Sequence, residues 1–320
     1  MYEVEGGGLG PKLLIFAGVA VHYVGTTIAL ATLARSDAPS PGRRALAQWI
    51  PVLATAIAAA VLRQPEMAVA LVFGSSVACL SLVLGMSTYV GPLQEFPPSR
   101  RLWPLVLPAA LFALLAGFRG TLNWFHAVLL LLMGAAFVSL WLERSPSHPP
   151  GAADASVAPS EGSSPVWGVL TALALTAVAA WATLHGAVAV AEQSRLLSPQ
   201  LLGSAVLGPF LLLPALGNAS MLAQQGRGGE AVTSLVGTVL LNLCLLLPLV
   251  VLVTYAVSHG PTPYPLIIWR VDAVVLLIVA FALVPVAAGR WLPDRMESML
   301  LVLVYAAYLV FETLSATRQL

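Results

Sequence analysis

Charged side chains are scarce in this sequence: Asp, Glu, Lys and Arg make up 9% of its 320 residues, against about 25% in an ordinary soluble domain. Hydrophobic residues make up 59%, and the mean hydropathy is +0.90. This composition excludes a soluble domain and indicates an integral membrane protein. The net charge of +1 also argues against a nucleic-acid partner.

Catalytic motifs and informative cysteines are absent as well. The sequence contains no H-E-x-x-H, G-x-S-x-G, C-x-x-C or Walker motif, so we expect neither an enzyme nor a bound cofactor. Its two cysteines, Cys79 and Cys244, lie in apolar stretches and say little about the redox compartment. The N-terminal stretch MYEVEGGGLG lacks the basic start of a secretory signal.

Long apolar stretches are what the sequence has instead. A bilayer-spanning helix needs about 20 mostly apolar residues, and ten stretches are predicted to be membrane spans on this ground. They lie at residues 12–34, 45–63, 66–91, 102–118, 121–142, 166–191, 199–224, 230–257, 264–288 and 297–316. The fourth and tenth are the least regular, and the tenth contains Glu312. The prediction is an all-α membrane protein whose surroundings are the lipid bilayer.

One long polar segment, RSPSHPPGAADASVAPSEGSSP, divides the ten spans into five and five. Its Pro, Ser, Gly and Ala content cannot form a packed core, so residues 144–165 are predicted to be a flexible linker. The chain then consists of a first five-helix half at residues 1–143 and a second at residues 166–320.

Lys and Arg in the loops predict the orientation, because cytoplasmic loops carry an excess of positive charge. With the N-terminus outside, nine such residues lie on the inner side and six on the outer side. This favours an outside N-terminus in a bacterial inner membrane or a plasma membrane.

The two halves contain an internal repeat at an offset of 163 residues. Without gaps, Pro51 aligns with Pro214 and Gly74 with Gly237, and the same offset joins His22 to His185. A repeat with an odd number of spans enters the membrane in opposite directions in its two copies. This is the inverted-repeat plan of secondary transporters, whose substrate site lies near the midplane on interrupted helices.

Pro51 and Pro214 fall inside predicted spans, where proline removes a backbone hydrogen bond that lipid cannot replace. The freed carbonyls are candidates to line a binding site, although proline also kinks helices that serve only for packing. The matched positions in the two halves favour the binding site.

The motif words around these prolines resemble the alpha-repeats of the cation/calcium exchanger superfamily, which includes sodium/calcium exchangers. The first copy reads IPVLATA and then GSSVAC, and the second reads FLLLPALGNAS and then SLVGTVLLN. The resemblance implies ten transmembrane helices in two inverted five-helix repeats. It also implies cation antiport by alternating access, with an ion site at the midplane between the repeats.

The ion ligands of that family can be transferred position by position. The two main carboxylates fall on Val52 and Ala215, so both are missing here. Oxygen ligands of the second motif word remain at Ser75, at Thr238 and at Asn242, while Cys79 replaces an Asn. The resemblance therefore implies a site that has kept hydroxyl and amide groups and lost its charges.

The missing carboxylates predict a change of substrate. A divalent ion about 4 Å from one carboxylate gains on the order of 8 kcal/mol at an effective dielectric constant near 20, before desolvation. Calcium also prefers six to eight oxygen ligands that usually include carboxylates. The sequence thus predicts a small monovalent or proton-coupled cation, or a small polar solute, rather than tightly bound calcium.

Two further sets of residues are candidates for function. His22 and His185 are candidates for proton coupling or transition-metal binding, or are neutral histidines that bond neighbouring helices. Thr55 and Asn218, each four residues after a motif proline, line either a pocket or a helix contact.

The acidic residues near span ends receive a structural interpretation. Arg270, Asp272 and Glu312 are expected to snorkel to the membrane boundary or form an ion pair. Glu66 and Glu230 begin the third and eighth spans, where the helix dipole alone explains them. A sensor or scaffold that has kept the fold without transport remains the rival to a transporter.

Overall fold

The computed structural model describes residues 9–34, 41–93, 103–142, 165–194, 197–287, 290 and 292–317. Within these ranges the chain forms ten helical segments, numbered α1 to α10 in chain order. They are Leu9–Ala34, Pro41–Val61, Pro65–Val90, Trp103–Ala116, Trp124–Leu142, Pro165–Gln193, Pro199–Gln224, Gly228–Ser258, Ile268–Val286 and Arg295–Thr317.

The ten segments confirm the predicted all-α membrane fold. Eight of them are long and apolar enough to cross a bilayer, and α4 and α5 are shorter apolar helices. The tenth segment, which contains Glu312, is among the eight. The linker predicted at 144–165 lies outside the described residues except for Pro165, where α6 begins.

Local sequence explains where several helices begin. At α7 the Ser198 side chain accepts a hydrogen bond from the Leu201 backbone N–H at 3.2 Å, and Pro199 occupies the first helical turn. At α10 the Asp294 carboxylate accepts from the Glu297 N–H at 3.1 Å, while the Glu297 carboxylate accepts from the Asp294 N–H at 2.9 Å. This reciprocal capping box fixes the entry of the last helix.

Two connections are held together by a short β pairing. Strand β1, Thr121–Leu122, precedes α5, and strand β2, Thr262–Pro263, precedes α9; they pair antiparallel. Gly120 turns the chain into β1 with a φ of 71°, which suits glycine, and its carbonyl accepts from the Tyr264 N–H at 2.8 Å. The pairing links the loop after α4 to the loop after α8.

Helices α1 and α6, which correspond in the repeat, pack against each other in opposite directions. A Cβ atom added at Gly18 would meet Ala179 and Thr183, whereas one added at Gly25 would meet Ala172 and Thr176. Rising residue numbers on α1 therefore meet falling numbers on α6. This is the antiparallel relation that an inverted repeat requires.

Helices α3 and α8 form the centre of the bundle, where almost every residue of their first halves is buried. Helix α7 approaches α3 closely enough for backbone contact. A Cβ atom at Gly74 would lie 2.3 Å from the Ser204 Cα, and one at Gly208 would lie 2.9 Å from the Gly74 carbonyl carbon. Small residues at this crossing bring elements of the two halves together.

Glu66 and Glu230 serve more than the helix dipole, because each contacts the opposite half. Arg44 of α2 is buried and forms an ion pair with Glu230 at 2.6 Å. Gln200 of α7 donates a hydrogen bond to the Glu66 carboxylate. The two acidic residues begin α3 and α8, so each central helix is tied at its start to a helix of the other repeat.

Substitution of Gly74 by Ala is expected to destabilise the protein, because the Ser204 backbone cannot move aside cheaply. Overpacking of this kind costs about 1–3 kcal/mol. Thermal unfolding in detergent should show a clear fall in Tm for Gly74→Ala. Gly217→Ala is the matched control, since its Cβ would meet only the Tyr23 hydroxyl, at 3.8 Å. An equal Tm for both variants would show that the α3–α7 crossing accommodates an added methyl group, contrary to this prediction.

Candidate functional site

The second motif words of the two repeats meet in the centre of the bundle. The Asn242 Nδ2 group of α8 donates to the Ser75 Oγ at 3.0 Å and to the Ser76 Oγ at 3.2 Å, and all three residues are buried. We refer to Ser75, Ser76 and Asn242 as the Asn242 cluster. Of the predicted site residues, Ser75 and Asn242 are brought into direct contact, and Ser76 is an addition.

The hydrogen-bond accounting fixes the orientation of Asn242. The hydroxyls of Ser75 and Ser76 both donate to the Val72 carbonyl, at 3.1 and 2.7 Å. Each hydroxyl has one hydrogen, so toward Asn242 both act as acceptors. The amide therefore presents its two N–H groups to them, and its Oδ1 atom is left buried without a partner.

The chain departs from regular α-helix at this level in both repeats. π-Helical turns cover Cys79–Val83 in α3 and Asn242–Leu246 in α8. Their first residues are 242 − 79 = 163 positions apart, the offset of the sequence repeat. Such turns occur often at functional sites because they release backbone groups from the helix ladder.

Thr238 and Cys79 lie beside the cluster without joining it. The Thr238 hydroxyl donates to the Ser234 carbonyl at 3.0 Å, and the Cys79 thiol contacts the Leu235 carbonyl at 3.5 Å. Ser234 in turn donates to the Gln48 Oε1 at 2.9 Å, which links α8 to α2. Gln48 stands where the family motif has a hydroxyl residue, and its polarity within an apolar span was the signal for this contact.

The two motif prolines behave differently. Helix α7 is interrupted at Leu212, with φ −93° and ψ 1°, and resumes with Pro214 in its first turn. Helix α2 continues through Pro51, whose carbonyl accepts from the Thr55 hydroxyl at 2.8 Å. The expected interruption is thus found in the second repeat, while the first repeat has a continuous helix.

The positions of the family carboxylates are apolar and closed. Val52 and Ala215 are both buried in the hydrophobic core. Asn218, one turn beyond Pro214, is half-buried, and its Nδ2 atom has no partner. The first motif words therefore supply no charge at the two carboxylate positions.

The structure does not bring His22 and His185 together. His22 is 1% exposed and lies 3.2 Å from the Thr55 hydroxyl through its Nε2 atom. His185 is exposed on α6, stacked on Trp181 with ring centroids 4.3 Å apart. Because α1 and α6 are antiparallel, symmetric positions lie toward opposite ends of the pair. Of the two histidines, only His22 contacts another predicted site residue, Thr55, and the described residues contain no group of three or more potential metal ligands.

The expectation that Asp272 and Glu312 snorkel toward the surface or form an ion pair is wrong. Asp272 is 1% exposed and Glu312 is 2% exposed, whereas Arg270 is exposed and forms no ion pair with Asp272. The expectation rested on their places near span ends. Packing of α9 and α10 against α3 and α7 encloses those ends, and only the tertiary structure shows this.

Comparisons with known proteins agree with this geometry. A sequence model described as sodium/calcium exchanger protein matches residues 44–142 and 164–314. The sodium-calcium exchanger NCX_Mj, soaked with 10 mM Na⁺ and 10 mM Sr²⁺, superposes with a TM-score of 0.65 at 17% identity, over 94% of this chain and 97% of that one. The H⁺/Ca²⁺ exchanger CAX gives 0.67 at 13% identity, over 97% and 92%. No curated protein sequence matches the chain.

The contact between the repeats predicts an energetic coupling. Removing Asn242 and Ser75 singly and together, as alanine variants, should reveal an interaction of about 0.5–1.5 kcal/mol, typical of a buried hydrogen bond. Unfolding in denaturant and mixed micelles measures it. The matched control is Ser81→Ala, because the Ser81 hydroxyl bonds only within its own helix, to the Val77 carbonyl at 2.5 Å. A Ser81–Asn242 coupling as large as the Ser75–Asn242 coupling would contradict the assignment.

Proposed function

The chain belongs to the sodium/calcium exchanger protein family, and on that premise we propose that it is a secondary-active cation antiporter that works by alternating access. The family consists of ion exchangers and not of enzymes. The proposed site lies between the repeats, at the Asn242 cluster with Thr238 and Cys79 beside it.

The contact of Asn242 with Ser75 and Ser76 is the observation that carries this proposal. The Asn242 Oδ1 atom is a buried acceptor without a partner, and leaving such an atom unpaired costs about 1–3 kcal/mol. A small cation at this point would satisfy it. The π-helical turns that begin at Cys79 and Asn242 supply backbone carbonyls nearby.

The charge of the site decides which cation it suits. Val52 and Ala215 supply no carboxylate, and the Asn242 cluster is neutral. Neutral oxygen ligands support exchange of a monovalent cation better than the stripping of water from calcium. We therefore propose that the chain exchanges a monovalent cation and does not bind calcium tightly.

A non-transporting scaffold with the exchanger fold is the second candidate. One observation favours it: two cavities of the described structure, of about 310 and 260 Å³, are lined by other residues and do not reach the Asn242 cluster. An occluded state of a transporter has the same appearance, so a flux measurement separates the two.

Purified protein in proteoliposomes should accumulate labelled Na⁺ or K⁺ above empty liposomes when an opposing cation gradient is imposed. Asn242→Ala should abolish this uptake, because it removes the amide of the second repeat that contacts Ser75 and Ser76 of the first repeat. Asn123→Ala, which removes the same side chain at an exposed position before α5, should transport like the wild type. Absence of flux for every cation tested would favour the scaffold.

Restoring the family carboxylates should restore calcium binding. The double variant Val52→Glu with Ala215→Glu is expected to gain Tm on addition of calcium, because a ligand bound only to the folded state stabilises it by mass action. The neutral isosteres Val52→Gln with Ala215→Gln control for the added bulk and should not respond. A calcium-dependent Tm increase in the wild type at sub-millimolar calcium would contradict the proposed loss of calcium affinity.

A further inference from the structure

A second polar cluster lies away from the Asn242 cluster, where α7, α9 and α10 meet. It contains Asp272 of α9, Glu312 of α10 and Ser204 of α7, and we call Asp272 and Glu312 the carboxylate pair. Both carboxylates are buried where α10 packs against the π-helical turn of α9, and the Ser204 hydroxyl is hydrogen-bonded to Glu312. Ser204 and Asp272 both lie in π-helical turns, Leu202–Leu207 and Ile268–Ala273.

Three buried tyrosine hydroxyls surround the pair without a hydrogen-bond partner. Tyr305, Tyr308 and Tyr264 are each at least nine-tenths buried, and their hydroxyls are unpaired. Tyr308 lies near enough to interact with both carboxylates but forms no hydrogen bond of standard geometry. Both Asp272 oxygens and the Glu312 Oε2 atom are also unpartnered. Because buried polar atoms are usually hydrogen-bonded, this concentration of unpaired hydroxyl and carboxylate oxygens indicates that an ion binds here.

Among the residues that the structure describes, no positive side chain contacts the pair to balance two negative charges. Arg270, on the π-helical turn of Asp272, is exposed, and Glu66 of α3 is engaged by Gln200. Helices packed against α10 also bring Cys79, bonded to a carbonyl, and the exposed Tyr89. Within the described part of the chain, the titratable groups that interact with the pair are Tyr264, Tyr305 and Tyr308. Two ionised carboxylates in such a site repel strongly, so a cation must occupy it.

The hydrogen bonds of Ser204 identify the smallest cation that fits. Its Oγ atom contacts two acceptors, the Gln200 carbonyl at 2.9 Å and the Glu312 Oε1. One hydroxyl hydrogen cannot serve both fully. If Glu312 carries a proton, its O–H donates to the Ser204 Oγ, and the Ser204 hydrogen goes to the Gln200 carbonyl. A proton thus satisfies every contact at this end of the pair.

A cavity lies beside the residues that surround the pair. The cavity of about 260 Å³ is lined by Tyr305, by Ala205 beside Ser204, and by Leu309 beside Tyr308. Tyr305, Tyr308 and Glu312 share one face of α10, at spacings of three and four residues. Tyr305 therefore lines the cavity and lies on the face of α10 that carries Glu312.

We propose that Asp272 and Glu312 hold one exchangeable proton, and that this proton is the ion exchanged against the cation bound at the Asn242 cluster. The coupling role rests on the proposed antiport, whereas the proton site itself does not. In the transport cycle the proton passes from Glu312 to an unpartnered Asp272 oxygen or to water entering from one side, and Glu312 takes up another proton from the other side. Ser204 acts as a positioning residue for Glu312.

Infrared spectroscopy tests the proton site without transport. At neutral pH the purified wild type should show the C=O stretch of a protonated carboxylic acid, sensitive to deuterium exchange. Glu312→Gln should lose this band, and Ser204→Ala, which keeps both carboxylates, should shift its frequency because the hydrogen bond is removed. Glu192→Gln, at an exposed position of α6, should leave it unchanged. Absence of the band from the wild type, or its persistence in both Glu312→Gln and Asp272→Asn, would overturn the proposal.

Flux measurements test the coupling role separately. In proteoliposomes, Glu312→Gln and Asp272→Asn should lose cation uptake driven by a pH gradient and keep isotope exchange of that cation for itself, which needs no coupling ion. Uptake driven by a sodium gradient alone, and lost in Asp272→Asn, would replace the proton by sodium and overturn the proposal. A wild type without self-exchange would refute the antiport and with it the coupling role, while the infrared result would still decide the proton site.

Discussion

The membrane interior offers no water to an unpaired polar group, and this constraint organises the whole molecule. Helices satisfy their own backbone, so the few departures from regular helix carry information. The departures include four π-helical turns, which contain Cys79, Asn242, Ser204 and Asp272, and interruptions at Leu212 and Leu283. Each π-helical turn holds a residue of one of the two polar clusters or a residue beside it, so backbone irregularity and buried polarity occur together at these turns.

The two polar clusters lie at different places in the bundle and differ in charge. The Asn242 cluster lies at the contact between the repeats and is neutral. The carboxylate pair lies among α7, α9 and α10. Asp272 has no charged counterpart in the first repeat, because Ala109 aligns with it at the offset of 163. Helix α7 connects the two clusters: Ser204 contacts Glu312 at one face, and the backbone of Ser204 packs on Gly74, next to Ser75, at the other. Helix α7 therefore lies between the carboxylate pair and the Asn242 cluster and contacts residues at both.

The packing of the helices follows the inverted repeat, whereas the polar side chains at equivalent positions do not. Antiparallel packing of α1 on α6 and the matched π-helical turns follow the inverted repeat. His22 and His185 follow it in sequence only, because one is buried beside Thr55 and the other is exposed. Equivalent positions of an inverted repeat lie on opposite sides of the midplane, so equal sequence spacing does not place two side chains at one point.

The sequence by itself determined the ten helical segments and the register of the repeat. These follow from the length of apolar runs and from matched Pro and Gly positions, which are local properties of the chain. The resemblance to the exchanger motifs implied that Ser75 and Asn242 belong to one site, and the structure brings their side chains into contact. Tertiary structure alone decided that Pro51 leaves α2 continuous, that Ser76 and Ser234 join the central contacts, and that Asp272 and Glu312 are buried together. Depth in a bundle depends on which helices cover a given end, and no hydropathy pattern along one helix contains that information.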